Sequence, residues 1–260
     1  MSKKVVILTT TLTLSLIIAG IILYKASIYM NASKYPTGKP MDNLVVYKID
    51  PEIILTSLQH KKIDVFMPAT SNPLYDDVPL QWPAGSLPWN QEDYINIANA
   101  LHKHVWKDSL ENWYLYTESY SISQCTDVSR IDGAGFQFYQ RQKDWYYVVH
   151  AMTIDSEYGY VYAGDNDSYY TGRWKDIDLG GAIVNNANEA LFIAEQNGGQ
   201  DIRLPMRDDK ECHISIALEP FAFERPDWGW RITYWLGSSP ISITDIDPYT
   251  GEYKILNLNQ

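Results

Sequence analysis

Near its C-terminus the chain reads DIDPYTGEY, Asp245 to Tyr253, and two aspartates two residues apart with a threonine nearby are the residue types of a phosphoryl-transfer nucleophile. In an Asp-x-Asp-x-Thr site one carboxylate attacks phosphorus, the other handles the proton, and a metal ion offsets charge. The spacing fails here: counted from Asp245 and Asp247, the threonine position is Tyr249, and Thr250 falls one place late. Turn chemistry accounts for each residue instead. Asp247 can accept from turn amides, Pro248 presets φ, and Gly251 supplies positive φ for a hairpin.

A second acidic stretch, GDNDSYYTGRWKDID, places Asp165, Asp167 and Asp176 at positions one, three and twelve of an EF-hand-like calcium loop. Tyr170 stands where that loop needs glycine, and Asp176 replaces the usual bidentate glutamate. A solvated connector explains the same composition. Two residues apart on a helix, His102 and His104 point about 200° from each other and cannot grip one ion, so both are expected at the surface. His150 and His213 are isolated in sequence and read as structural. Cys125 and Cys212, the only cysteines, make neither a zinc site nor a CxxC motif. In an exported domain they can form a disulfide; alternatively Cys212 packs as a small apolar residue in CHISIAL while Cys125 sits in a loop.

The elements that must position these residues follow from periodicity. PWNQEDYINIANALHKHVW predicts an amphipathic helix capped by Asn90 with Asp93 three residues on, and with Tyr94, Ile97, Ala98, Leu101 and Val105 on its apolar face. Alternating and aromatic runs follow: NWYLYTESYSI, GFQFYQR, DWYYVVHAMTI and YVYAG. A second pass starts at NNANEALFIAEQNGG, where Gly198-Gly199 fits a left-handed helix end, and continues through ECHISIALE, GWRITYWLG, PISITDID and EYKILNL. Both passes close on Ile-Asp, a turn, a glycine and an aromatic exit strand, the pattern of a divergent internal repeat. LVVYKIDPEIILTSLQHKKIDVF, before the first helix, has room for a short strand and a turn of helix.

Composition bounds the rest. The chain has 260 residues, nine Trp and twenty Tyr, a content that favours half-buried strand surfaces. A net charge of −11, with no basic patch, argues against nucleic acid and for a soluble acidic surface. Lys3 and Lys4 precede twenty uncharged residues, Val5 to Tyr24, enough to cross about 30 Å of hydrocarbon as a helix. The expected organisation is a short tail 1–4, a transmembrane anchor or uncleaved signal 5–24, a linker and Pro-rich segment 25–88, a first α+β unit 89–164, an acidic connector 165–184, and a second unit 185–260.

ANEALFIAEQNGG, WRITYW and ITDIDPYTGEYKIL resemble the PepSY family, over about residues 180–258, with residues 89–163 as a more divergent copy. The resemblance implies an α+β fold of two helix-plus-antiparallel-sheet units, a location outside the cytoplasm and, in some members, inhibition or chaperoning of a peptidase; it brings no catalytic residues. The functional expectation is therefore a membrane-anchored, extracytoplasmic binding or regulatory protein without catalysis, no metal and no cofactor, with a protein or peptide as partner. Trp113, Tyr146, Trp228, Trp230 and Trp235 are its candidate contact aromatics. The alternatives are a hydrolase using scattered carboxylates and His150, and a structural envelope protein whose sheet edges pair with a partner.

Overall fold

The computed structural model describes residues 44–60, 65–69, 90–143, 146–169, 179–220 and 228–258. Its frame is one ten-stranded sheet, antiparallel at every described pairing, in the order β10-β9-β8-β7-β3-β4-β5-β6-β1-β2. The strands are β1 Val45–Lys48, β2 Met67–Pro68, β3 Tyr114–Ile122, β4 Gly133–Lys143, β5 Tyr146–Asp155, β6 Tyr160–Tyr169, β7 Cys212–Pro220, β8 Trp228–Leu236, β9 Ser239–Ile246 and β10 Tyr253–Asn257. Among the described residues four α-helices accompany them: α1 Ile54–Gln59, α2 Gln91–Trp106, α3 Ala187–Ala194 and α4 Gln200–Arg203.

This corrects the expected α+β fold of two helix-plus-sheet units. The strands after α2 and those after α3 do not close separate sheets: β3 pairs with β7, from Glu118 opposite Leu218 to Ile122 opposite Ile214, so both runs belong to one sheet with few helices. Among the described residues no helix is long and apolar enough to cross a membrane, and the expected membrane anchor finds no support there. Its carrier, Val5 to Tyr24, lies outside the described residues.

Helix α2 begins as its sequence requires. The Asn90 side chain accepts from the Asp93 amide at 3.1 Å and Asp93 accepts from the Asn90 amide at 2.9 Å, a reciprocal box that satisfies two otherwise orphaned donors. Its buried face holds Tyr94, Ile97, Ala98 and Leu101 against the sheet. Helix α3 is capped by Asn186, which accepts from the Glu189 amide at 3.0 Å. The Gly198-Gly199 pair does not end the helical run. Gly198 turns with φ 107°, and the chain resumes as α4. A Cβ on Gly199 would collide with the hydroxyl of Tyr234, which is why no side chain fits there.

One face of the sheet is thus packed under helices, and its core runs through Tyr120, Ile122, Phe136, Ile154, Ile214, Ile216, Trp230 and Tyr234. On the opposite face of the central strands stand small residues, Ser119, Ser121, Gly133, Gly135, Ala151, Ser215 and Ala217. A disulfide joins Cys125, in the loop after β3, to Cys212 at the start of β7, with Cα atoms 5.6 Å apart. It closes a span of 87 residues and so removes about 4–5 kcal/mol of chain entropy from the unfolded state.

Candidate functional site

The Asp245–Tyr253 stretch is a hairpin turn, and it sets up β10, four of whose five residues are exposed. Asp247 Oδ1 accepts from the amides of Tyr249 at 2.8 Å and Thr250 at 3.2 Å, and Gly251 takes φ 71°. The turn then delivers β10 alongside β9 without a bulge. Asp247 donates to the Glu252 carbonyl at 2.8 Å and Leu258 donates to the Ile241 carbonyl at 3.1 Å, so these positions are hydrogen-bonded pairs of the ladder. Antiparallel pairs alternate. Lys254 and Leu256 therefore turn their backbone groups towards β9, while Tyr253, Ile255 and Asn257 turn theirs to the open edge.

No described strand pairs with that edge. Apolar side chains flank it on both faces: Tyr253 is 46% exposed, Leu256 39% and Leu258 47%, and Ile183 and Tyr249 stand beside the turn. Thr250, Gly251, Glu252, Tyr253 and Lys254 line an open recess of about 510 Å³. An edge of this kind can donate and accept main-chain hydrogen bonds to an added strand.

Among the described residues, every buried side-chain polar atom but Trp228 Nε1 has a hydrogen-bond partner. His102, expected at the surface, is fully buried, and its Nε2 lies 2.8 Å from Nδ1 of His150. Its Nδ1 faces the Asp108 carbonyl at 3.2 Å and must donate to it, which leaves Nε2 as acceptor and requires His150 to donate from Nδ1. Two indoles clasp the second ring: Trp106 and Trp113 each stack on His150 at 3.9 Å, and Trp113 Nε1 donates to Asp108 Oδ2 at 3.0 Å. Burial holds both imidazoles neutral; His150, further disfavoured as a cation by its neighbour, is pushed down to about 3. The cluster pins the end of α2 to β5.

Two ion-pair networks stabilise the other half. Arg203 reaches both oxygens of Glu195, donating from Nε at 3.1 and 3.0 Å and from Nη2 at 2.6 Å, while its Nη1 donates to the Cys125 carbonyl at 2.7 Å beside the disulfide. Arg231 holds Asp245 with two bonds, 2.8 and 3.0 Å, and Glu219 with a third at 2.8 Å. Asp245 is thus occupied as a structural counter-ion, and the two aspartates of the opening stretch serve different local tasks.

The candidate contact aromatics do not converge. Trp228 and Trp230 are buried, and Trp230 Nε1 donates to the Val184 carbonyl at 3.0 Å. Trp113 belongs to the histidine cluster. Trp235 is half-buried beside His213 on the opposite face of the sheet and donates to Ser215 Oγ at 2.9 Å. The Tyr146 side chain lies outside the described residues. Asp165 and Asp167 fall within β6 rather than in a loop, and Asp176 is outside the described residues. Among the described residues no three His, Cys, Asp or Glu side chains gather as a metal site.

A scan against protein-family models, a search of curated proteins and a search of solved structures find no match to this chain. The resemblance to PepSY domains therefore rests on the quoted residues.

Proposed function

We propose that the protein is a non-catalytic binding protein that works outside the cytoplasm and holds an extended segment of a partner protein along β10. The observation that carries this reading is the row of edge-facing backbone groups at Tyr253, Ile255 and Asn257, flanked by exposed apolar side chains. The molecule contains an example of the same event. At the other side of the sheet β1 lies along β6, Val45 opposite Ala163 to Lys48 opposite Tyr160, with apolar Val45 and Tyr47 turned to the core. The disulfide supports the location, since such bonds persist in oxidising compartments. A net charge of −11 favours a neutral or basic partner segment.

A synthetic peptide with the sequence LVVYKI, copied from residues 44–49, is the probe. Titrated into the full chain, it should shift the backbone resonances of Tyr253, Ile255 and Asn257. Ile255→Pro removes one outward donor without touching the bonds to β9, so it should weaken binding about tenfold or more while leaving the fold in place. Unchanged affinity in that variant, or shifts confined to other parts of the sheet, would refute strand addition at β10.

A further inference from the structure

The three outward residues of β10, Tyr253, Ile255 and Asn257, are symmetric about Ile255, and a strand of that kind can pair with a second copy of itself. Turned about a two-fold axis at Ile255, antiparallel copies place Ile255 opposite the second copy's Ile255 and Tyr253 opposite the second copy's Asn257. All are hydrogen-bonded positions, at which facing residues exchange both N–H···O bonds. Every outward backbone group of β10 then finds a partner on the other β10.

Side chains and charge fit the same register. A Cβ on Gly198 would stand 3.9 Å from Ile255 Cδ1, which puts Tyr253, Ile255 and Asn257 on the helix-covered face, where the two Ile255 side chains meet. On the other face Lys254 stands opposite the second copy's Leu256. Centring the axis on Lys254 would instead set two ammonium groups directly opposite each other, an unfavourable pair. Centring it on Leu256 carries Tyr253 beyond Asn257, the last residue of β10. Lys254 is the only charged residue of the strand, so each copy offers a weakly basic segment to a chain of net charge −11.

We propose that two copies of the protein join β10 to β10 as an antiparallel pair centred on Ile255 when no other segment occupies the edge, so that one sheet runs on across the two-fold axis. This pairing rests on the open edge read above as a strand-addition site, and it gives that edge an occupant. A strand of five residues supplies only a short ladder, and the two acidic bodies repel each other, so the pair is weak. Dilute chain is therefore monomeric with β10 free, and association strengthens with concentration and with salt, which screens the repulsion. A partner strand and a second copy compete for the same backbone groups.

Cysteine trapping in the full chain tests the pair, because Cys125 and Cys212 are bonded to each other and leave an introduced thiol no internal partner. Facing hydrogen-bonded residues lie about 5.5 Å apart at Cα, within disulfide reach, whereas the two copies of Tyr253 are more than about 10 Å apart. Ile255→Cys should therefore oxidise to a covalent dimer about tenfold or more faster than Tyr253→Cys, and added LVVYKI should slow it. Equal trapping of the two variants, or trapping of Ile255→Cys that ignores the peptide, would overturn the pair. Should Ile255→Cys not fold, a mixture of Tyr253→Cys and Asn257→Cys chains decides: cross-links between the two support the register, and their absence removes it. Absent trapping with β10 resonances still shifted by LVVYKI removes the second copy and leaves the edge to other strands. Absent trapping with no such shift removes the strand-addition reading as well.

Discussion

The two sides of the sheet begin alike and end differently. Each last hairpin has an aspartate accepting from turn amides, Asp155 from Tyr158 at 3.0 Å and Asp247 from Tyr249 at 2.8 Å. Each also has a glycine with nearly the same positive φ, 70° at Gly159 and 71° at Gly251. Beyond that point β6 is covered by β1, and β1 by β2, a strand of two residues that ends in Pro68. A short strand with a proline is a poor template for further pairing. On the opposite side β10 runs five residues with no proline and no bulge, and Lys254 is its only basic residue. Equal local chemistry thus leaves the fate of an edge to whichever distant segment reaches it.

The largest expected effect tests whether the two sides belong to one cooperative body. Replacing Cys125 and Cys212 by serine should cost about 4–5 kcal/mol and still leave a single unfolding transition, followed by denaturant titration, because β3 and β7 pair directly. Two resolved transitions would divide the sheet. Next, proline at matched outward positions should separate the edges. The amide of Val161 faces β1, since Ile49 donates to Gly159 two residues away in the same ladder. Val161→Pro should then cost about 3 kcal/mol, while Ile255→Pro costs less than about 1 and removes peptide binding. Similar losses at both sites would mean that β10 is not a free edge.

Acid should distinguish the sides more mildly. The histidine pair belongs to the half that β1 covers, and burial keeps it neutral when folded. The unfolded chain binds those protons as pH falls below 6.5, so stability is lost from there towards about 3. The loss is on the order of a few kcal/mol. Amide exchange at pH 4 should show β5 and β6 opening before β8 and β9. The opposite order would remove the pair from acid sensitivity.

Local features were legible in the sequence because they depend on neighbours in the chain. The Asn90 box, the Asn186 cap and the Asp247–Gly251 turn all follow from residue types within a few positions. The single sheet was not, since the pairing of Glu118 with Leu218 joins strands 100 positions apart, and strand patterning specifies a face rather than a neighbour. His102 was misread because a polar type was assigned to solvent. The spacing Tyr94, Ala98, His102, Trp106 follows one ridge of the helix and carried the signal for its burial.

The central claim is that β10 presents its outer backbone groups to a partner, and residue-resolved amide exchange of the full chain, with and without the LVVYKI peptide, tests it most directly. Free, Lys254, Leu256 and Leu258 should exchange slowly and Tyr253, Ile255 and Asn257 quickly; with peptide, the fast set should become protected. Uniform slow exchange along β10 in the free chain, or fast exchange at those three amides with the peptide bound, would contradict it.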